Sequence, residues 1–176
     1  MTKAPISCGL LAAITLAWTA AAQAQDSTGR QPGTVTGLPI PRFVSLKASE
    51  VNARVGPGPD YQIAWVFKRA GLPVEVLAEF EAWRQVRDSD GVTGWVAAPL
   101  LSARRTAVVA PWVKERTVFT LTSTRGGSAT VAQMEPGAIV DIKSCDGEAC
   151  EVYAGQQNGW APQKNLWGVY PGEAVK

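Results

Sequence analysis

Residues 52–61 read NARVGPGPDY, an irregular stretch between short runs of β-prone residues. Pro57 and Pro59 each fix φ and lack a backbone N–H, so neither suits the interior of a central strand. Gly56 and Gly58 alternate with the two prolines and allow sharp changes of chain direction. We therefore predict a stiff, turned loop that follows one short strand and precedes another.

The sequence on both sides of this loop consists of short β-prone runs separated by turn residues. The runs are 43–46 (FVSL), 49–55 (SEVNARV), 73–77 (PVEVL), 83–87 (WRQVR) and 93–96 (TGWV). Residues 73–77 alternate between apolar and polar side chains, as in a strand with one buried face. Asp90-Gly91 is a tight-turn dipeptide. No stretch sustains a helical apolar period, so the predicted fold class is all-β, built from small barrels.

The same pattern occurs twice along the chain. Gly71 and Gly137 begin the similar runs GLPV and GAIV, and Gly-Trp pairs stand at 94–95 and 159–160. A period of about 65 residues is too long for a solenoid repeat but suits a duplicated small barrel. The sequence therefore predicts two tandem modules, at 43–103 and 114–170, with a boundary within 102–113.

The first 24 residues have the pattern of a secretory signal peptide. Lys3 precedes an uncharged, largely apolar stretch that ends in the small residues Ala22 and Ala24. An uncleaved membrane anchor is the alternative, but the stretch is short and interrupted by polar residues. We expect cleavage after Ala24, a periplasmic or secreted location and no membrane span in the mature chain. Residues 25–42 are rich in Gly, Pro, Ser and Thr and predict a flexible tether.

Composition argues against several classes of function. Without Lys3 the chain has 16 basic and 15 acidic residues, a balance that does not favour nucleic acid or an anionic membrane as a partner. The sequence contains no histidine, the commonest general base and transition-metal ligand. We therefore expect no enzyme activity, no metal and no cofactor. Paired carboxylates among Glu79, Glu81, Asp88 and Asp90 are the enzymatic alternative, although acids at turn ends are usually solvated.

The order of these motifs resembles the bacterial SH3-like (SH3b) domain family. The resemblance is carried by the N-x-R-x-G-P start at 52–57, the W-x-x-V run at 83–86 and the GWV run at 94–96. It covers nearly all of the chain after residue 42. It implies a partly open barrel of five to seven strands in each module, and a role in binding the cell wall or a protein in the periplasm.

The resemblance also implies a ligand groove beside the long loop of the first module. The residues that match this groove are Asn52, Arg54, Tyr61, Trp83 and Trp95. Tyrosine and tryptophan offer large, stiff contact surfaces, and arginine can bind a carboxylate through two hydrogen bonds. Carboxylates of peptidoglycan stem peptides are therefore suitable ligands. The alternative is that the two tryptophans fill the hydrophobic core.

The second module departs from this pattern. Its loop, at 122–128 (TSTRGGS), is shorter and lacks the Gly-Pro repeat, and Cys150 is predicted to match Trp83. Cys145 and Cys150 flank a four-residue hairpin turn, and residues that face each other across such a turn are within disulfide range. An even cysteine pair in an exported chain predicts a structural disulfide. A redox-active pair is the alternative, but its usual spacing is C-x-x-C.

The sequence thus predicts an exported, non-enzymatic protein whose SH3b modules recognise peptidoglycan or a cell-envelope partner. The first module is the better candidate for binding, and the second is predicted to stabilise it. The alternative is a structural or regulatory periplasmic protein that binds another protein and does not bind the wall.

Overall fold

The computed structural model describes residues 29–176, and the signal peptide predicted at 1–24 lies outside the described residues. The described chain consists of β-strands with two short 3₁₀ turns, at Ala98–Leu100 and Gln163–Asn165. Within this part of the chain, no helix has the length and apolarity needed to cross a membrane. The strands form one small hairpin and two larger sheets. The prediction of an all-β chain with two tandem SH3-like barrels is confirmed.

A hairpin precedes the first barrel. Its strands β1 (Gln31–Pro32) and β2 (Pro39–Ile40) are antiparallel, and the loop between them contacts Glu79 of the first barrel. The sequence predicts a flexible tether over 25–42, whereas the structure orders the described part of this segment, including Arg42 in a barrel strand. Composition does not reveal the hairpin because its binding partner lies more than 40 residues away.

The first barrel is a seven-stranded antiparallel sheet. Its strands are β3 (Arg42–Leu46), β4 (Val51–Arg54), β5 (Ile63–Phe67), β6 (Pro73–Phe80), β7 (Trp83–Arg87), β8 (Thr93–Ala97) and β9 (Leu101–Ser102). Their order in the sheet is β5-β4-β8-β7-β6-β3-β9. The glycine–proline stretch connects β4 to β5, as predicted, and β5 and β9 form the two edges of the sheet.

The core of this barrel follows from the alternation along its strands. The buried residues are Leu46, Val51, Ala53, Phe67, Val74, Val76, Val86 and Val96. On β4, Val51 and Ala53 are buried, whereas Asn52 and Arg54 are partly exposed. Burying an aliphatic side chain stabilises a fold by about 1.5–3 kcal/mol. The buried valines therefore fix which side chains of β4, β7 and β8 face outward.

The second barrel is an eight-stranded sheet. Its strands are β10 (Thr106–Val109), β11 (Phe119–Thr122), β12 (Thr130–Met134), β13 (Ile139–Asp146), β14 (Ala149–Ala154), β15 (Gln157–Pro162), β16 (Leu166–Trp167) and β17 (Ala174–Val175). Strand β10 lies in the segment that the sequence assigns to the module boundary. All four of its residues are buried, and it pairs with both β13 and β16, so it is an interior strand of this sheet.

The predicted disulfide between Cys145 and Cys150 is confirmed. The two residues are register partners on β13 and β14, and their Cα atoms are 4.1 Å apart. Both side chains belong to the buried core of the second barrel. The bridge thus closes the central hairpin from the inside.

The strand register shows which residue of the second barrel corresponds to Trp83 of the first, and it differs from the prediction. Trp83 pairs with Ala97, and the corresponding pair in the second barrel is Ala149 with Pro162. Trp83 therefore corresponds to Ala149, and the prediction that it matches Cys150 is wrong. A slip of one residue turns a side chain to the opposite face of a sheet. Cys150 faces the core, whereas Trp83 faces outward.

Candidate functional site

Three predicted site residues lie together on the outside of the first barrel. Arg54 on β4 is the register partner of Trp95 on β8, and Trp95 is in turn the partner of Gln85 on β7. Directly opposed residues share a face of the sheet, with Cβ atoms about 4.5–5.5 Å apart. Trp83 lies two residues before Gln85 and therefore on the same face. We call these four residues the aromatic face.

Trp83 and Trp95 are outside the hydrophobic core. Both are partly exposed, and the core side chains of β7 and β8 are Val86 and Val96. The alternative in which the two indoles fill the core does not hold. The two indoles are therefore partly accessible to solvent on the outside of the sheet.

The long loop is tied to the aromatic face through Arg54. Its Nη1 donates a hydrogen bond to the backbone oxygen of Tyr61, at 2.6 Å, which uses one of the five N–H donors of the guanidinium. The ring of Tyr61 packs over the loop, since a Cβ on Gly56 would overlap it and one on Gly58 would contact it at 3.2 Å. Tyr61 is 49% exposed. The loop therefore holds a half-exposed phenol ring at the border of the aromatic face.

Asn52 lies at the margin of this group. It is on the same side of β4 as Arg54 but two residues earlier, roughly 7 Å along the strand. Its register partner there is Val66 of β5. The structure therefore brings Arg54, Trp83 and Trp95 together and places Asn52 beside them.

A buried carboxylate that the sequence assigns to solvent anchors the N-terminal hairpin. Glu79 accepts hydrogen bonds from the backbone N–H groups of Val35 (2.9 Å) and Thr36 (2.8 Å) and from the Thr36 hydroxyl (2.7 Å). Arg42 donates to it at 2.7 Å, and the guanidinium of Arg84 lies 3.5 Å away. The Glu79 side chain has no exposed surface, so the expectation of a solvated turn acid is wrong for this residue.

The ionisation state of Glu79 suits its role in holding the N-terminal hairpin on the first barrel. Burial by itself raises its pKa, but the hydrogen bonds from Thr36, Arg42 and Val35 outweigh burial and lower the pKa to about 2. The carboxylate is therefore ionised at neutral pH and cannot act as a general acid there. Sequence alternation did not reveal this site because a bulge between Val76 and Ala78 shifts the register, which turns Glu79 inward.

The second barrel has a recess at the position that corresponds to the aromatic face. Trp160 pairs with Glu151 and Thr122, as Trp95 pairs with Gln85 and Arg54 in the first barrel. Ala149 stands where the first barrel has Trp83, and it lines a recess of about 330 Å³ together with Trp160. The recess thus has an indole, and Thr122 stands at the register position that Arg54 occupies in the first barrel. The arginine that lines the recess, Arg125, comes from the loop after β11 instead.

The two barrels contact each other around Tyr170. Its hydroxyl donates to Glu75 Oε1 on β6 at 2.8 Å, and Phe43 contacts the rings of Trp167 and Tyr170 at centroid distances of 5.0 and 4.7 Å. Arg87 forms an ion pair with the other oxygen of Glu75. Burial, followed by the hydrogen bond to Glu75, raises the pKa of Tyr170. This cluster holds the two barrels in one relative orientation.

The two small barrels, with an aromatic and cationic outer surface on the first, define a tandem binding module. The family model of the bacterial SH3 domain matches the chain twice, at residues 47–103 and 114–168. The chain therefore belongs to the bacterial SH3 domain family, which is a family of binding modules.

Two solved structures are similar to parts of the chain. They are NlpC2 and NlpC1 from Trichomonas vaginalis, at 13% and 14% sequence identity, each with a TM-score of 0.33. The matches cover 72% and 76% of this chain and 48% of each of those chains. The chain thus spans about half the length of the structures that it matches. No curated protein matches it.

Proposed function

We propose that this is an exported, non-enzymatic binding protein whose first barrel recognises peptidoglycan or a cell-envelope partner through the aromatic face. One observation carries the proposal: Arg54 lies between the Tyr61 loop and Trp95. This position combines a guanidinium with partly exposed aromatic rings on a rigid sheet.

The chemistry of this surface suits a peptide that bears a carboxylate. A guanidinium binds a carboxylate through paired, charge-assisted hydrogen bonds. Trp83 and Trp95 can cover the apolar parts of a peptide or a sugar ring beside that carboxylate. The stem peptides of peptidoglycan carry both kinds of group, and the proposed ligand-binding residues are Asn52, Arg54, Tyr61, Trp83 and Trp95.

Export is part of the proposal. The signal-peptide pattern at 1–24 supports it. The Cys145–Cys150 disulfide also supports it, because structural disulfides form and persist in oxidising compartments.

Sedimentation with purified peptidoglycan tests this function. The wild-type protein is expected to pellet with the wall. Arg54→Gln is expected to weaken binding roughly ten- to a hundredfold, the loss typical of a charged hydrogen bond, and Trp95→Ala is expected to weaken it by more than about tenfold, as for a tryptophan at the centre of an interface. Arg116→Gln, which removes an arginine from outside the aromatic face, is the matched control and should pellet like the wild type.

Two results would contradict parts of the proposal. Failure of the wild-type protein to sediment, together with co-purification of an envelope protein that Arg54→Gln does not retain, would favour a protein-binding role without wall binding. Release of soluble wall fragments, abolished by Glu81→Gln or Asp88→Asn, would contradict the non-enzymatic assignment.

A further inference from the structure

A cleft of about 750 Å³ lies between the two barrels. Its walls are residues 65–69 and 88–90 of the first barrel, and 113–118 in the β10–β11 loop and 135–137 of the second barrel. None of the four residues of the aromatic face lines it. The volume is within the range of protein ligand sites, which occur preferentially where domains meet.

One wall of this cleft is the free edge of a strand. Three consecutive residues of β5, 65–67, line the cleft, as do residues 68 and 69 of the following loop. Successive side chains of a strand point to opposite faces, so lining by three consecutive strand residues means that the edge of β5 faces the cleft. β5 pairs with β4 on one side and is an end strand of its sheet. The backbone groups on its other side can pair with an additional strand.

Apolar side chains are exposed on the walls of the cleft. Trp65 on β5 is 50% exposed, and Val118 in the β10–β11 loop of the second barrel is 55% exposed. Both residues line the cleft. Exposed apolar groups that share a concave surface are typical of interaction sites. An incoming chain could therefore bury an apolar side chain between them.

The charges of the cleft indicate what kind of chain it accepts. The charged lining residues are Lys68, Arg69, Lys114, Arg116, Asp88, Asp90, Glu115 and Glu135. This set is balanced in sign and does not favour a polyanion or a polycation. An extended polypeptide with apolar and mixed charged side chains complements it.

The cleft is preorganised by contacts between the barrels. Arg69 Nη1 donates to the backbone oxygen of Gly137, at 3.0 Å, and so joins the two walls. The Glu75–Tyr170 hydrogen bond holds the barrels together elsewhere. A site whose walls are already fixed loses less ordering entropy when it binds.

We propose that the cleft binds an extended segment of a partner protein, which adds as a strand to the free edge of β5 and places an apolar side chain between Trp65 and Val118. Main-chain hydrogen bonds supply affinity in this mode of recognition, and side-chain pockets supply specificity. The site goes beyond the proposed function and depends on neither the aromatic face nor its ligand.

A random dodecapeptide library displayed on phage, selected against the immobilised chain, tests the proposal. Selected peptides, made synthetically, are expected to bind with an affinity that Trp65→Ala lowers more than tenfold, as for a central tryptophan in an interface. Val118→Ser is expected to weaken the same peptides, and the matched tryptophan control, Trp83→Ala, should leave them unchanged. In the wild-type protein, bound peptide should slow amide hydrogen exchange in β5.

Three outcomes would overturn the cleft site. The selection could enrich no peptide; the selected peptides could lose binding to Trp95→Ala but still bind Trp65→Ala; or bound peptide could fail to slow amide hydrogen exchange in β5. Peptidoglycan sedimentation of Trp65→Ala separates the two proposals, since it should equal that of the wild type. The two sites can therefore fail independently.

Discussion

Glu79 and Arg84 of the first barrel occupy the same register positions as Cys145 and Cys150 of the second. Each pair lies opposite across the central hairpin, one step before its turn. An ion pair joins the first two residues, and a disulfide joins the other two. Small barrels of about 60 residues are only marginally stable, and the two modules have different internal cross-links at one site.

An additional segment covers this site in each barrel. The loop of the N-terminal hairpin binds Glu79, whereas β17 pairs with Cys145 from the C-terminal side. The segments come from opposite ends of the described chain and lie on corresponding strands. Each barrel is thus completed by a segment from one end of the described chain.

Substitution of Glu79 by glutamine is expected to destabilise the first barrel. The lowered pKa of Glu79, about 2 against an ordinary value of 4.5, corresponds to roughly 3 kcal/mol of stabilisation of the charged form. Because the folded-state pKa is depressed, this stabilisation is complete above about pH 4.5 and is lost as the pH falls towards 2. Urea unfolding at pH 7 and pH 3 measures both effects, and Glu79→Gln should show the smaller pH dependence.

The control for this substitution is Glu50→Gln. Glu50 also forms an ion pair, with Lys68 at 2.8 Å, but both side chains are 66% exposed. Exposed pairs contribute about 0–1 kcal/mol, so this variant should unfold close to the wild type. An equal loss in both variants would show that the buried carboxylate has no special role.

Reduction of the Cys145–Cys150 bridge is expected to lower the stability of the second barrel by about 2 kcal/mol, because the closed loop is short. The transition of the second barrel, followed by Trp160 or Trp167 in single-tryptophan variants, should move to lower urea in the presence of dithiothreitol. A Cys145→Ala/Cys150→Ala variant is the control and should not respond to the reductant. If the first barrel shifted by the same amount, the bridge would be stabilising the pair as one unit.

A methyl group on Gly56 is expected to displace Tyr61. The added Cβ would overlap the phenol ring, whereas a Cβ on Gly58 meets the same ring at 3.2 Å. Overpacking of this kind costs about 1–3 kcal/mol, unless the half-exposed ring moves into solvent. Gly56→Ala should therefore change the chemical shifts of Tyr61 and weaken ligand binding at the aromatic face, and Gly58→Ala should do so less. Equal effects would contradict the assigned ring position.

Removal of the Tyr170 hydroxyl is expected to loosen the contact between the barrels. Tyr170→Phe leaves Glu75 Oε1 without its donor, a loss of about 1 kcal/mol. Burial raises the pKa of Tyr170 above its ordinary value of 10.0, so wild-type stability should fall as the pH rises past that value. The free energy of unfolding, measured at pH 8 and at pH 11, should therefore fall less in Tyr170→Phe than in the wild type. Tyr153→Phe, at a residue 39% exposed, should retain it.

Local patterns in the sequence were sufficient for most strands of the first barrel, the duplication and the disulfide, but not for β1, β2 and β10. Alternation along 73–77 and the turn at Asp90-Gly91 depend on neighbouring residues, because strand periodicity and turn geometry are properties of a few consecutive residues. The cysteine pair is equally local, since both residues belong to one hairpin. Arg54, Trp83 and Trp95 share one face of the sheet once the strands are aligned, but the sequence left open whether the two tryptophans fill the core.

Only the tertiary structure decided what covers each polar side chain. Glu75 is buried by Tyr170, 95 residues away, and Glu79 by a hairpin more than 40 residues before it. The bulge in β6 places Glu79 on the inner face of the sheet. The strand register also shows that Ala149, and not the neighbouring Cys150, corresponds to Trp83. Such outcomes depend on strand register and on contacts between distant segments, which the local period of a sequence does not encode. The sequence by itself therefore specified two barrels and the cysteine bridge. The tertiary structure placed the two tryptophans outside the core, and it added the anchored hairpin and the cleft between the barrels.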